Sequence, residues 1–97
     1  MNIGITIREL RKRKNLSQEE LSGLTNISQT YISQIESGKK TPTLDVLQTI
    51  GEKIGVPFQI ISFLSLNEDA IPEGKREHYK AIEPAVKAMI KEYFLAD

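Results

Sequence analysis

Four capping signals divide the first 66 residues into short helices, and no other feature constrains the chain as much. Asn2, Ser17, Ser28 and Thr43 each stand just ahead of a stretch with apolar residues at helical spacing. Side-chain oxygens at such positions accept from the N–H groups that a first turn leaves without partners. The second signal is the strongest, because Glu20 follows Ser17 by three residues and completes a capping box. Stops fall between the starts. Asn15 closes the first helix, Gly38 the third and Gly55 the fourth, and Pro42 cannot continue a helix. No stretch of useful length alternates apolar and polar residues, so the fold reads as all-α.

Each interval carries one apolar face. Ile3, Ile7 and Leu10 supply the first, and Leu21 and Leu24 the second, where Gly23 is expected at a close helix contact. Asn26 is placed for a left-handed turn, with Ile27 beneath it. Leu44, Leu47, Ile50 and Ile54 face inward from the fourth helix. Pro57 opens a fifth, which buries Phe58, Ile61 and Leu64 and leaves Ile60 and Phe63 over. Beyond it, Asn67–Ile71 reads as an acidic linker and Pro72–Ala81 as a weak polar helix. Pro84 is then expected to open a stronger helix through Leu95. Its Ile82, Ala85, Val86, Met89, Ile90, Tyr93 and Phe94 make a broad apolar face. The division that follows is 1–66, a five-helix unit, and 67–97, a linker with a helical extension.

The third helix, Ser28 to Ser37, has the most unusual surface. On a wheel of ~100° per residue, Gln29, Thr30, Ser33 and Gln34 cluster on one side and Ile32 and Ile35 lie roughly opposite. The polar side has two amides, two hydroxyls and no bulky aliphatic group. Such side chains match the donors and acceptors that base edges present in a DNA major groove. Net charge is zero and does not advertise nucleic acid, but the distribution is uneven. Residues 1–66 hold eight Lys/Arg and six Asp/Glu, net +2, and residues 67–97 hold five and seven, net −2. Five of those eight cations lie between Arg8 and Lys14, a cluster that reads mainly as a solvated helix face with one or two phosphate contacts.

Other chemistries find little support. The chain has no cysteine, which excludes disulfides, thiolate metal sites and cysteine nucleophiles. His78 is the only histidine and sits among charged residues, as a surface side chain does. No paired acids, metal cluster or Gly-rich phosphate loop stands out, so neither enzyme activity nor a cofactor or metal is expected. The apolar-rich run Phe58–Leu66 is too short to span a bilayer, and the N-terminus lacks a signal-peptide layout. The expectation is a cytoplasmic protein with no membrane contact.

Four segments, taken together, carry a resemblance. Leu16-Ser17-Gln18-Glu19-Glu20-Leu21, Ile27-Ser28-Gln29, Tyr31 through Lys39, and Pro42-Thr43-Leu44 are similar to the helix-turn-helix domain of the Cro/C1-type (XRE) phage and bacterial regulators. The resemblance covers about residues 3–66 and implies a five-helix, lambda-repressor-like domain that binds operator DNA as a two-fold dimer. By position it implies base contacts from Gln29, Thr30, Ser33 and Gln34. Phosphate contacts would come from Gln18, Ser28, Tyr31, Lys39, Lys40 and Arg11. Arg11 and Glu36 would form an ion pair tying the first helix to the third. Asn26 stands where glycine is common, and Ser22-Gly23 where alanine and a longer residue are frequent, so the second helix departs from the pattern away from the base-reading positions.

The expected function is a homodimeric, sequence-specific DNA-binding regulator, a repressor acting on double-stranded operator DNA. The tail either folds back over Ile60 and Phe63 or forms a dimer seam from Ile60, Phe63, Val86, Met89, Ile90, Tyr93 and Phe94, and the two are compatible. The alternative is an adaptor or antitoxin-like protein whose apolar C-terminal helix binds a second protein partner.

Overall fold

The computed structural model describes residues 2–95. Six α-helices follow in chain order: α1 Ile3–Arg13, α2 Gln18–Thr25, α3 Gln29–Glu36, α4 Leu44–Ile54, α5 Phe58–Leu64 and α6 Arg76–Ile90. Two short 3₁₀ turns, Glu68–Ala70 and Glu73–Lys75, lead into α6, and a π-helical segment, Lys91–Leu95, leaves it. No strand occurs among the described residues.

All four caps form. Asn2 accepts from the Ile5 N–H at 2.9 Å, Ser28 from Tyr31 at 3.1 Å and Thr43 from Val46 at 3.3 Å. The capping box is reciprocal: Ser17 accepts from the Glu20 N–H and Glu20 accepts from the Ser17 N–H, both at 3.0 Å. Asn26 takes the left-handed conformation at φ 60°, which lets the chain turn sharply from α2 into α3.

Ile7, Leu10, Leu21, Ile32, Ile35, Ile50, Ile54, Val56 and Ile61 build one buried core from the first five helices and the turn before α5. Helices α1 and α3 approach closely at Gly4. A Cβ there would collide with the carbonyl oxygen of Ile35, so α1 can lie against the backbone of α3 only because position 4 has no side chain. Thr6, also buried, accepts from the Ser65 hydroxyl at 2.9 Å and donates to the Asn2 carbonyl at 3.1 Å.

Four expectations are corrected. Leu24 is 48% exposed and Leu44 57%. The buried side of α2 runs through Leu21 and Thr25, which turns Leu24 outward. Leu44 opens α4, one turn before that helix reaches the core at Leu47. Gly23 meets nothing within 4 Å of where its Cβ would lie, so it marks no helix contact. Pro84 starts no helix but lies inside α6, and the weak and strong helices expected on either side of it are one. A proline in a helix interior costs ~3 kcal/mol. Packing on both sides offsets that cost. Tyr79 is buried before the proline, its ring edge-on to Phe63 at 6.5 Å, and Ile90 is buried after it.

The extension therefore folds back. Ile90 joins the core, and Val86, Phe94 and Leu95 pack against it. Arg76 Nε donates to the Glu68 and Ile71 carbonyls, both at 3.1 Å, which holds the start of α6. Lys14 Nζ donates to the Phe94 carbonyl at 3.4 Å and ties the end of the segment to α1. No helix among the described residues is long and apolar enough to cross a membrane.

Candidate nucleic-acid interface

The polar side of α3 faces outward. Ile32 and Ile35 anchor the helix in the core at 0% and 1% exposure. Gln29, Thr30 and Ser33 are exposed and Gln34 half-buried. These four line a shallow polar depression of about 420 Å³ together with Gln18 and Lys39. Residues from three places in the sequence thus meet: the first turn of α2, the outer face of α3 and the loop after it. Flexible amides and hydroxyls can present either a donor or an acceptor, as direct readout of base edges requires.

Beneath this face lies an ion pair. Arg11 donates from Nε and Nη2 to the two carboxylate oxygens of Glu36, at 2.8 and 2.9 Å. Its Nη1 donates to the Leu16 carbonyl at 2.8 Å. Both side chains are almost wholly buried. The hydrogen bond to Glu36 holds the Arg11 guanidinium above its ordinary value, against the opposing effect of burial. The fork-on-carboxylate geometry fixes relative orientation as well as distance, so α1, the α1–α2 turn and α3 are clamped together.

Two expected phosphate groups are affected by this clamp. Gln18 Nε2 donates to Glu36 at 3.2 Å, so its amide rests on the ion pair and its second N–H and its oxygen stay free. Arg11 is bound on three sides and its side chain is only 9% exposed, which makes it a tie between helices. Arg8, one turn earlier on α1, is exposed and lines a second polar depression with Gln18, Ser33 and Ser37 at the edge of the α3 face. Sequence reasoning did not single out Arg8. Its signal was membership of the Arg8–Lys14 cluster, whose members cannot be ranked until α1 has an orientation.

The remaining expected groups flank the face. The Ser28 hydroxyl caps α3 and stays exposed. Tyr31 is half-buried, and Lys40 Nζ sits over its ring at 5.8 Å from the centroid, a cation–π contact that holds one loop lysine beside the helix. Lys39 lines the depression itself. Away from these residues, all seven residues expected in a dimer seam line one apolar groove between α5 and the C-terminal segment. Among the described residues no group of His, Asp and Glu is placed to hold a metal ion.

Comparison with known proteins agrees with this geometry. The helix-turn-helix family pattern matches residues 7–61, from α1 to the middle of α5. Control protein C.BamHI of Bacillus amyloliquefaciens is 35% identical over 65 residues, covering 65% of this chain and 80% of that protein. The immunity repressor protein of Bacillus phage phi105 is 26% identical over 92 residues, covering 95% of this chain and 62% of the repressor. An uncharacterized HTH-type transcriptional regulator, y4mF, of Sinorhizobium fredii is 39% identical over 59 residues, 57% of this chain and 78% of that protein. With that match, a capped α2–turn–α3 unit and an outward polar face on α3, the chain belongs to the Cro/C1-type (XRE) helix-turn-helix family of non-enzymatic, DNA-binding transcriptional regulators.

Proposed function

We propose that the protein is a homodimeric repressor that occupies an operator, with α3 of each copy in the major groove of one half-site. The observation that carries this reading is the exposed polar depression of Gln29, Thr30, Ser33 and Gln34, with Lys39 at its rim. Gln29 and Gln34 read base edges, and Thr30 and Ser33 adjust the fit. Backbone phosphates are held by Lys39, Lys40, the Ser28 hydroxyl, the Tyr31 hydroxyl and Gln18. Arg8 takes the phosphate role expected of Arg11, which serves as the clamp on Glu36. In the family's geometry the two half-sites lie about 34 Å apart, one turn of DNA. Repression by occupancy needs no cofactor and places the protein in the cytoplasm.

Selection of bound sites from random duplex DNA tests the reading. An enriched two-fold sequence is expected. The Gln29→Ala/Gln34→Ala double variant should keep its fold and lose preference at the bases concerned, each good contact being worth ~1–3 kcal/mol of discrimination. Binding of the double variant with unchanged sequence preference would refute base reading by α3.

A further inference from the structure

Helix α6 has two apolar stripes, and the fold uses one. At ~100° per residue along α6, Tyr79, Val86 and Ile90 fall within about 40° of one another, and Phe94 follows in the π-helical segment. This is the inward stripe: Tyr79 and Ile90 are buried, and Val86 and Phe94 pack on the core. Ile82, Ala85 and Met89 form a second stripe beside it, about 60° wide, and the exposed Tyr93 follows it in the π-helical segment. Ile82 is 59% exposed, Met89 53% and Tyr93 72%, so half of the six large exposed hydrophobics among the described residues lie on this one line. It borders the apolar groove of about 630 Å³ floored by Ile60 and Phe63 of α5.

We propose that this outer stripe pairs with the same stripe of a second copy, antiparallel and centred on Met89. The proposal rests on the homodimer reading and names its surface. A two-fold contact requires one patch to supply both the projection and the space that receives it. The stripe has that property. Counted outward from Met89 by four residues in each direction, the chain has Ala85 on one side and Tyr93 on the other. Antiparallel pairing about Met89 sets the bulky ring of each Tyr93 over the small Ala85 of the other copy. The two Met89 side chains meet on the axis, beside the groove. Charge agrees: Lys87 and Lys91 line the opposite flank of the segment, towards Arg13 of α1, and Lys80 pairs with Glu68 at 3.5 Å, so none of the three is directed into the seam. Val86, Ile90 and Phe94 then serve chiefly the protein's own core, and Ile82 and Ala85 enter the seam.

The 97-residue chain has no cysteine, so thiols engineered into it report the pairing without background. Met89→Cys should give a covalent dimer on mild oxidation. Ala85→Cys and Tyr93→Cys should cross-link when mixed, and Ala85→Cys alone should not, because its two copies lie about 12 Å apart along the pair of helices. Tyr93→Asp, at an exposed position, should keep the native helical spectrum and sediment as a monomer where the parent is a dimer. A monomeric parent, a dimeric Tyr93→Asp, or efficient cross-linking of Ala85→Cys alone would overturn the proposal. Base reading by α3 fails separately, on the DNA selection, since a monomer can still prefer a half-site.

Discussion

Arg11 and Glu36 lie 25 residues apart in sequence and meet through two charge-assisted hydrogen bonds of 2.8 and 2.9 Å, beneath the surface that α3 presents. Removing one partner of such a buried pair strands the other charge, at a cost of ~3–5 kcal/mol. Arg11→Ala is therefore expected to lower the urea midpoint severely, with Glu36→Ala similar and the double variant less than additive. Additive effects would show that the two residues act independently.

Gly4 and Gly23 should respond to alanine in opposite directions. At Gly4 the added methyl meets the Ile35 carbonyl, a backbone atom that cannot swing aside, and Gly4→Ala should destabilise by more than ~2 kcal/mol as α1 is pushed off α3. At Gly23 the space is empty, and Gly23→Ala should stabilise by ~0.5–1 kcal/mol through helix propensity. Chemical denaturation of the two variants beside the parent checks both signs.

Lys39 and Arg8 carry charge to the edge of the α3 face. Lys39→Ala and Arg8→Ala should each weaken DNA binding almost uniformly across sequences and reduce the slope of log affinity against log salt by about 1. A titration of affinity against salt separates this from the Gln29 and Gln34 variants, which should leave the slope unchanged.

The Tyr79 hydroxyl is buried without a hydrogen bond of full geometry among the described residues. The Glu83 carboxylate, a loose acceptor one turn on, and burial push the phenol up to about 12. Its folded-state pKa lies above the ordinary phenol value of 10.0, so this stabilisation is fully present below pH 10 and is lost as pH rises towards 12. Tyr79→Phe keeps the ring on Phe63, and its stability at pH 7 should stay within about 0.5 kcal/mol of the parent. Denaturation across pH 9–12 should show a steeper loss for the parent than for the variant.

Much of the α2–turn–α3 unit was legible along the chain because caps and amphipathic faces are local. Ser17 and Glu20 satisfy each other within one turn, and Gln29 and Ser33 share a face by helix geometry alone. Which of two glycines sits at a helix contact was not legible, since Gly4 and Gly23 both lie in helices and differ only in what approaches from outside. The same holds for Arg8 and Arg11, neighbours in one basic cluster that α1 turns to opposite fates, one exposed and one clamped. Pro84 misled for a related reason: proline signals a local cost, while Tyr79 and Ile90 supply the packing that offsets it from elsewhere in the fold. Sequence by itself determined where helices begin, which face of each is apolar, and that α3 carries a polar surface. Tertiary structure alone decided how closely the helices approach, which cation is buried, and which of the two stripes of α6 is left outside, because each depends on atoms brought together from distant parts of the chain.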